Sequence, residues 1–145
     1  RSNPFTEIER MAAYMKLRSS KQVVIECTLP PEVFVMLSVP LFDWVLENLI
    51  KNALDATDGA GTIHIVASVQ NNLVSILISD TGKGMDSETA NQIFEPGFTT
   101  KKRGWGLGLP LSKRIMETYH HGKLFIKRTE LGKGTTFCLQ LPVVD

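Results

Sequence analysis

Apolar residues along the chain fall into two alternating periods. Phe5, Ile8, Met11, Ala12, Met15 and Leu17 recur at roughly helical spacing, which predicts a weakly amphipathic helix over 4–20. The runs 23–27 and 33–37 are β-branched and aromatic and flank Pro30 and Pro31, so two short strands around a turn are expected. Leu41, Val45, Leu49, Ala53 and Ala56 line one face of a long helix over 41–57, which Gly59 and Gly61 terminate. Alternating runs at 62–69 and 73–79 around Asn71-Asn72 predict a hairpin. Beyond it come a short helix over 86–93, a Gly-, Thr- and Lys-rich loop over 95–106 and a second long helix over 107–119. Strands at 124–127 and 135–141, around a turn at Gly132 and Gly134, close the chain.

Hairpins dominate the strands, so the elements predict an α/β sandwich whose mixed, mainly antiparallel sheet carries helices on one face. A chain of 145 residues suits one core. Its 43% apolar and 21% charged residues are globular in character, and no apolar run is long enough to span a membrane. A formal charge of +1 gives no global field for nucleic acid or anionic lipid. Cys27 and Cys138 lie in apolar strand runs without metal-ligand spacing, and buried thiols are expected of both. The chain starts without Met and in helical pattern, so it reads as a piece of a longer protein.

Three segments carry candidate chemistry. Asn48 and Asn52 lie one turn apart, on the face that Asp55 shares, with Lys51 beside them. Carboxamide oxygens can help hold a Mg²⁺ that also leans on phosphates, and Lys51 can meet a phosphate oxygen; a merely exposed polar face is the alternative. Asp80-Thr81-Gly82-Lys83-Gly84-Met85 places a carboxylate at a strand end and lets backbone bend closely around a ligand, although it could equally be a common turn. Such an Asp can accept a hydrogen bond from an amino group like that of adenine. Gly104-Trp105-Gly106-Leu107-Gly108-Leu109 runs into a predicted helix, where amide N–H groups and the helix dipole favour phosphate. Thr99, Thr100, Lys101, Lys102 and Arg103 add hydroxyls and positive charge upstream; a solvated basic loop is the other reading.

In this order the segments resemble the catalytic, ATP-binding domain of sensor histidine kinases, within the superfamily that includes gyrase, Hsp90 and MutL ATPases. Asn48 to Ala53 looks like the N box and Asp80 to Met85 like the G1 box. Ile93 to Phe98 with Thr99-Thr100-Lys101 resembles the F box, and Gly104 to Leu109 the G2 box. Gly132-Lys133-Gly134-Thr135-Thr136-Phe137 is similar to the terminal G-x-G-T-x-F stretch. The resemblance implies a Bergerat-type fold over 22–145, with 1–21 the tail of a preceding dimerisation and phosphoacceptor domain or a linker. It implies that Asn52, with Asn48, serves Mg²⁺ and phosphate, that Lys51 serves a phosphate, and that Asp80 receives the adenine amino group. Gly82, Gly84 and Met85 would shape the adenine pocket, with Thr135 also at the nucleotide. Residues 95–106 would be a lid that Phe94 and Phe98 anchor. Thr99, Thr100, Lys101, Gly104, Gly106, Leu107, Gly108 and Leu109 would attend the triphosphate. Gly97 departs from a common aromatic, and Trp105 from a common small residue.

One position separates kinase from hydrolase. The ATPase relatives carry a Glu one turn before the metal-binding Asn as general base on water; here Asn48 stands there, and an amide takes no proton. Glu47, one residue earlier, is rotated by about 100°. A histidine acceptor suits such a site, because neutral imidazole is already nucleophilic and the transfer rests on positioning and charge neutralisation. None of His64, His120 or His121 lies in a phosphoacceptor pattern, so all three read as structural or solvent-facing. The expected partners are therefore an upstream dimerisation and phosphoacceptor domain and a response regulator receiver domain, with no nucleic acid and no direct membrane contact. The resemblance further implies a monomeric fragment, a homodimeric parent and a cytoplasmic location. An ATPase clamp and a catalytically inactive nucleotide-binding scaffold are the competing readings.

Overall fold

The computed structural model describes residues 1–19, 21–95 and 108–144. Helix α1 spans Pro4–Arg18; Asn3 Oδ1 accepts the Phe5 N–H at 3.0 Å and Pro4 opens the first turn, so the start is capped twice over. Strand β1 (Val23–Thr28) follows, then helix α2 (Val39–Thr57), which ends on Asp58 in the left-handed region. Strands β2 (Gly61–Gln70) and β3 (Leu73–Asp80) form the expected hairpin. Both turn residues, Asn71 and Asn72, have positive φ (52° and 61°), as a mirror-image two-residue turn requires.

Helix α3 (Ser87–Gln92) is capped by Asp86, whose Oδ1 accepts the Thr89 N–H at 2.7 Å; that bond holds the Asp86 carboxyl below its usual range. Helix α4 (Gly108–Arg114) continues as a π-helical turn over Ile115–Tyr119, and strands β4 (Lys123–Glu130) and β5 (Gly134–Pro142) complete the sheet.

Five strands lie in the order β1-β2-β3-β5-β4, with β1 parallel to β2 and the other neighbours antiparallel. The helices cover one face, where Ile25, Ile63, Ile65, Ile76, Ile78 and Leu139 meet the apolar stripe of α2. Phe42, Leu46, Leu49 and Ile50 are each fully buried at that contact, which gives α2 the central place between sheet and remaining helices. Helix α1 contributes Phe5, Ile8, Met11 and Met15 to the same cluster, so residues 4–18 share the core of the segment after residue 22. No helix among the described residues is long and apolar enough to cross a membrane.

Three expectations change. Residues 33–37 form no strand: Val35 makes isolated bridges to Ser2 and Val143, because the prolines at 30, 31 and 40 leave only a short extended crossing between the two chain ends. Cys27 is exposed rather than buried, since burial along the edge strand β1 stops after Ile25; Cys138 is buried. The second long helix breaks into α4 and the π turn, and this widening lets His120 fold back into the core.

His120 is 4% exposed. Its Nδ1–H donates to Ile115 O at 3.0 Å, and its Nε2 accepts the Ser38 N–H, also at 3.0 Å, where the Ser38 side chain makes no cap bond to α2. The ring thus ties the end of the π turn to the start of α2, beside Phe42. His120→Phe keeps the ring and removes both bonds, so urea unfolding should show a loss of about 1–3 kcal/mol.

Candidate nucleotide-binding site

Of the chemistry predicted from sequence, the Asp80 turn meets the last turn of α2 and Asn48 and Asn52 lie along its middle. Asp80, the last residue of β3, is 8% exposed, and its Oδ1 accepts N–H donors from Gly82 at 2.9 Å and from Thr135 at 3.4 Å. Burial pushes its carboxyl above the usual range, and the two backbone donors oppose that push only in part. A carboxylate kept in so poor a solvent gains most from a further donor, which is the property a recognition group needs.

The turn after Asp80 is stitched to its neighbours through backbone. Lys83 N–H donates to Ala56 O on the last turn of α2 at 3.0 Å, and Gly132 N–H donates to Lys83 O at 2.7 Å. A side chain at Gly82 would overlap Ala56 O, and one at Gly84, where φ is +67°, would overlap Glu130 O. Both positions therefore demand glycine, through close approach at the first and backbone conformation as well at the second. Met85 N–H donates to Thr129 Oγ1 at 3.0 Å, and that hydroxyl pairs with Thr135 Oγ1 at 2.8 Å. Asp80, Gly82, Gly84, Met85 and Thr135 are thus one connected wall.

The second wall is the seam between α2 and α4. Gly108 packs directly on the Asn48 amide, where a Cβ would collide with Asn48 Nδ2. Ser112, fully buried one turn further on, reaches Asn48 Oδ1 at 3.4 Å. Asn48 and Asn52 are half-buried on the same side of α2, and Asn48 to Ala56 spans about 12 Å of helix axis between the two walls.

Lys51 is exposed and lines, with Glu47, an open groove of about 420 Å³ against Tyr14, Met15 and Arg18 of α1. Glu47 therefore faces α1, away from the Asn48 seam. Phe94 packs edge-on against Phe137 at 6.3 Å, and Lys113 Nζ lies 5.0 Å above its ring, so its role is packing. Thr99, Thr100, Lys101, Gly104, Gly106 and Leu107 lie outside the described residues; Leu109 is half-buried on α4, and its side chain packs against the core.

Sequence reading missed two members. Thr129 joins Met85 to Thr135, and Ser112 positions Asn48. Ser112 was discoverable as a small polar residue one turn after Gly108; Thr129 carried no such mark, since only the strand register brings it to the turn.

Comparison with known proteins identifies the family and the fold. Residues 39–145 match the family described as histidine kinase-, DNA gyrase B-, and HSP90-like ATPase, and the chain belongs to that family. Its relatives are sensor kinases: the sensor histidine kinase ZraS of Escherichia coli (strain K12) is 42% identical over 99 residues, 68% of this chain and 21% of ZraS. Sporulation kinase B of Bacillus subtilis (strain 168) is 32% identical over 123 residues, 84% of this chain and 28% of that kinase. The chain thus corresponds to a minor part of each of these proteins. The catalytic domain of histidine kinase ThkA superposes with a TM-score of 0.82 at 27% identity, covering 97% of this chain and 93% of that domain. Full-length ShkA in complex with AMPPNP gives 0.86 at 25% identity, covering 99% of this chain and 30% of ShkA. The fold is that of histidine kinase catalytic domains.

The raised Asp80 pKa sets a pH test. A carboxyl whose folded value lies above its unfolded one contributes stability that is fully present below the unfolded range and lost as pH rises through the folded value. Nucleotide-free Asp80→Asn should therefore melt at or above the wild-type temperature near pH 7.5, with the gap closing as pH falls into the carboxyl range. Thermal scans across that interval check it, and equal destabilisation at every pH would contradict it.

Proposed function

We propose that this chain binds ATP with Mg²⁺ and presents the γ-phosphate to a histidine on a dimerisation and phosphoacceptor domain of the same parent protein, in two-component signalling. The observation that carries this reading is Asp80, buried, bonded on Oδ1 by Gly82 and Thr135, and held in a glycine-shaped wall. Its carboxylate accepts the adenine amino hydrogen, and Met85 and Thr135 bound the base. From there the nucleotide extends along α2 toward Asn48 and Gly108, where Ser112 fixes the Asn48 amide. The Asn48 and Asn52 carboxamide oxygens suit a hard cation that shares its shell with water and phosphate, whereas the exposed Lys51 lines the α1 groove beside Glu47 and reaches a phosphate oxygen only by swinging its long side chain across α2. Bound Mg²⁺ neutralises the charge that builds on the phosphates during transfer. We assign the lid role to 95–106 and triphosphate contacts to Thr99, Thr100, Lys101, Gly104, Gly106, Leu107, Gly108 and Leu109.

Transfer rather than hydrolysis follows from the absence of a base at position 48, with Glu47 turned toward α1. The regulator seen with ThkA, response regulator protein TrrA, suggests the matching partner class, a receiver domain. We place the domain on the cytoplasmic side of its parent, in a homodimer held by the upstream region that 1–21 joins.

Calorimetric titration with ATP, with and without Mg²⁺, tests this reading. Asp80→Asn should weaken binding at least tenfold, as expected for losing a hydrogen bond to a charged group worth about 1.5–3 kcal/mol. Asn52→Ala should remove most of the Mg²⁺-dependent gain, and phosphate release should stay near background. Sustained release would favour the ATPase clamp, and a folded chain that binds no nucleotide would favour a scaffold.

A further inference from the structure

His120 is a buried titratable group that the nucleotide site does not use, and its two backbone partners fix its protonation. Ser38 N–H can only donate, so the Nε2 it meets at 3.0 Å must offer a lone pair. Ile115 O can only accept, so the Nδ1 that lies 3.0 Å from it must carry the hydrogen. Neither backbone group can change its role, and together they hold the ring as the neutral Nδ1–H tautomer. A proton added at Nε2 would set N–H against N–H and break the Ser38 bond, leaving two buried donors face to face.

That bond is where the ring reaches helix α2. Ser38 O accepts the Phe42 N–H at 2.8 Å and so opens the helical ladder, while the Ser38 side chain makes no cap bond of its own. On the other side, the π turn continues α4, whose Gly108 and Ser112 pack on Asn48. Helices α2 and α4 are thus joined twice, at the Asn48 seam and through the His120 ring.

The charges on the elements packed around the ring are engaged elsewhere or face solvent. On α2, Asp43 answers Arg10 of α1 and Glu47 lines the α1 groove. Lys113 of α4 answers Glu117 of the π turn. Arg114, Tyr119, His121, Lys123 at the start of β4, and Glu32 in the segment before α2 are exposed. We propose that His120 is an acid-opened latch between α2 and the π turn: the neutral imidazole holds the two together, and uptake of a proton from solvent at Nε2 releases them. The unfolded chain takes that proton freely and the latched fold does not. The latch therefore contributes its full stability where free imidazole is neutral and loses it as pH falls through the range in which imidazole protonates.

Urea unfolding of the 145-residue chain and of His120→Phe, from about pH 8 to about pH 5, tests it. The wild-type midpoint should lie above that of the variant at about pH 8, and the gap should narrow steadily toward about pH 5. Taking the difference between the two chains cancels the protonation of His64 and His121. Nuclear magnetic resonance of the wild-type chain gives a second measurement that holds even where His120→Phe does not fold. The His120 ring nitrogens should show the Nδ1–H tautomer at about pH 8, and the Ser38 amide should lose its protection from hydrogen exchange in step with protonation of His120. A gap of the same size at every pH, or a Ser38 amide unchanged across the range, would overturn the inference. Neither measurement involves nucleotide, so failure here is separable from failure of the ATP-binding reading.

Discussion

A carboxylate enclosed at the end of a central strand is the constraint on which the rest of this site depends. Asp80 is ionisable yet 8% exposed, and its surroundings raise its pKa, so the fold tolerates an unfavourable charge there. The neighbours limit that cost with backbone rather than side chains: Gly82 N–H and Thr135 N–H both point at Oδ1. Backbone donors cannot swing away, and they are themselves fixed by the bonds from Lys83 to Ala56 and from Gly132 to Lys83. The carboxylate is thereby held rigidly in place, and under the proposed reading stability is exchanged for recognition at a single residue.

Helix α2 ties this arrangement to the Asn48 seam. Its apolar stripe, with Leu46, Leu49 and Ile50 fully buried, fixes its rotation on the sheet, so Asn48 and Asn52 project to one side as a consequence of core packing. Its last turn holds the Asp80 turn, while its middle holds Gly108 and Ser112 of α4. Even its first turn is secured from α4's continuation, through the His120 imidazole on Ser38 N–H. One rigid helix thus relates the Asp80 wall to the Asn48 seam.

Much of this was legible in the residues. Helical spacing marked α2, the Asn71-Asn72 pair marked the central hairpin, and the order of Asn, Asp and glycine segments marked the family, because each depends on local chemistry. What depends on long-range geometry was not. The single bridging role of Val35 depends on Ser2 and Val143, which are distant in sequence, and the exposure of Cys27 depends on β1 being the sheet's edge. The π turn, and the burial of His120 that follows from it, were hidden because the local pattern suits an unbroken helix. Asn48 and Asp80 could be named as candidates, but Ser112 and Thr129, which position them, became visible only through packing and register.

The central claim is that Asp80 receives the amino group of adenine, and nucleotide discrimination tests it most directly. Competition between ATP and inosine triphosphate, which carries a carbonyl in place of that amino group, should show ATP preferred by the wild-type chain at least tenfold, a gap of about 1.4 kcal/mol. The preference should collapse in Asp80→Asn. Equal affinity of the wild-type chain for the two nucleotides would contradict the account.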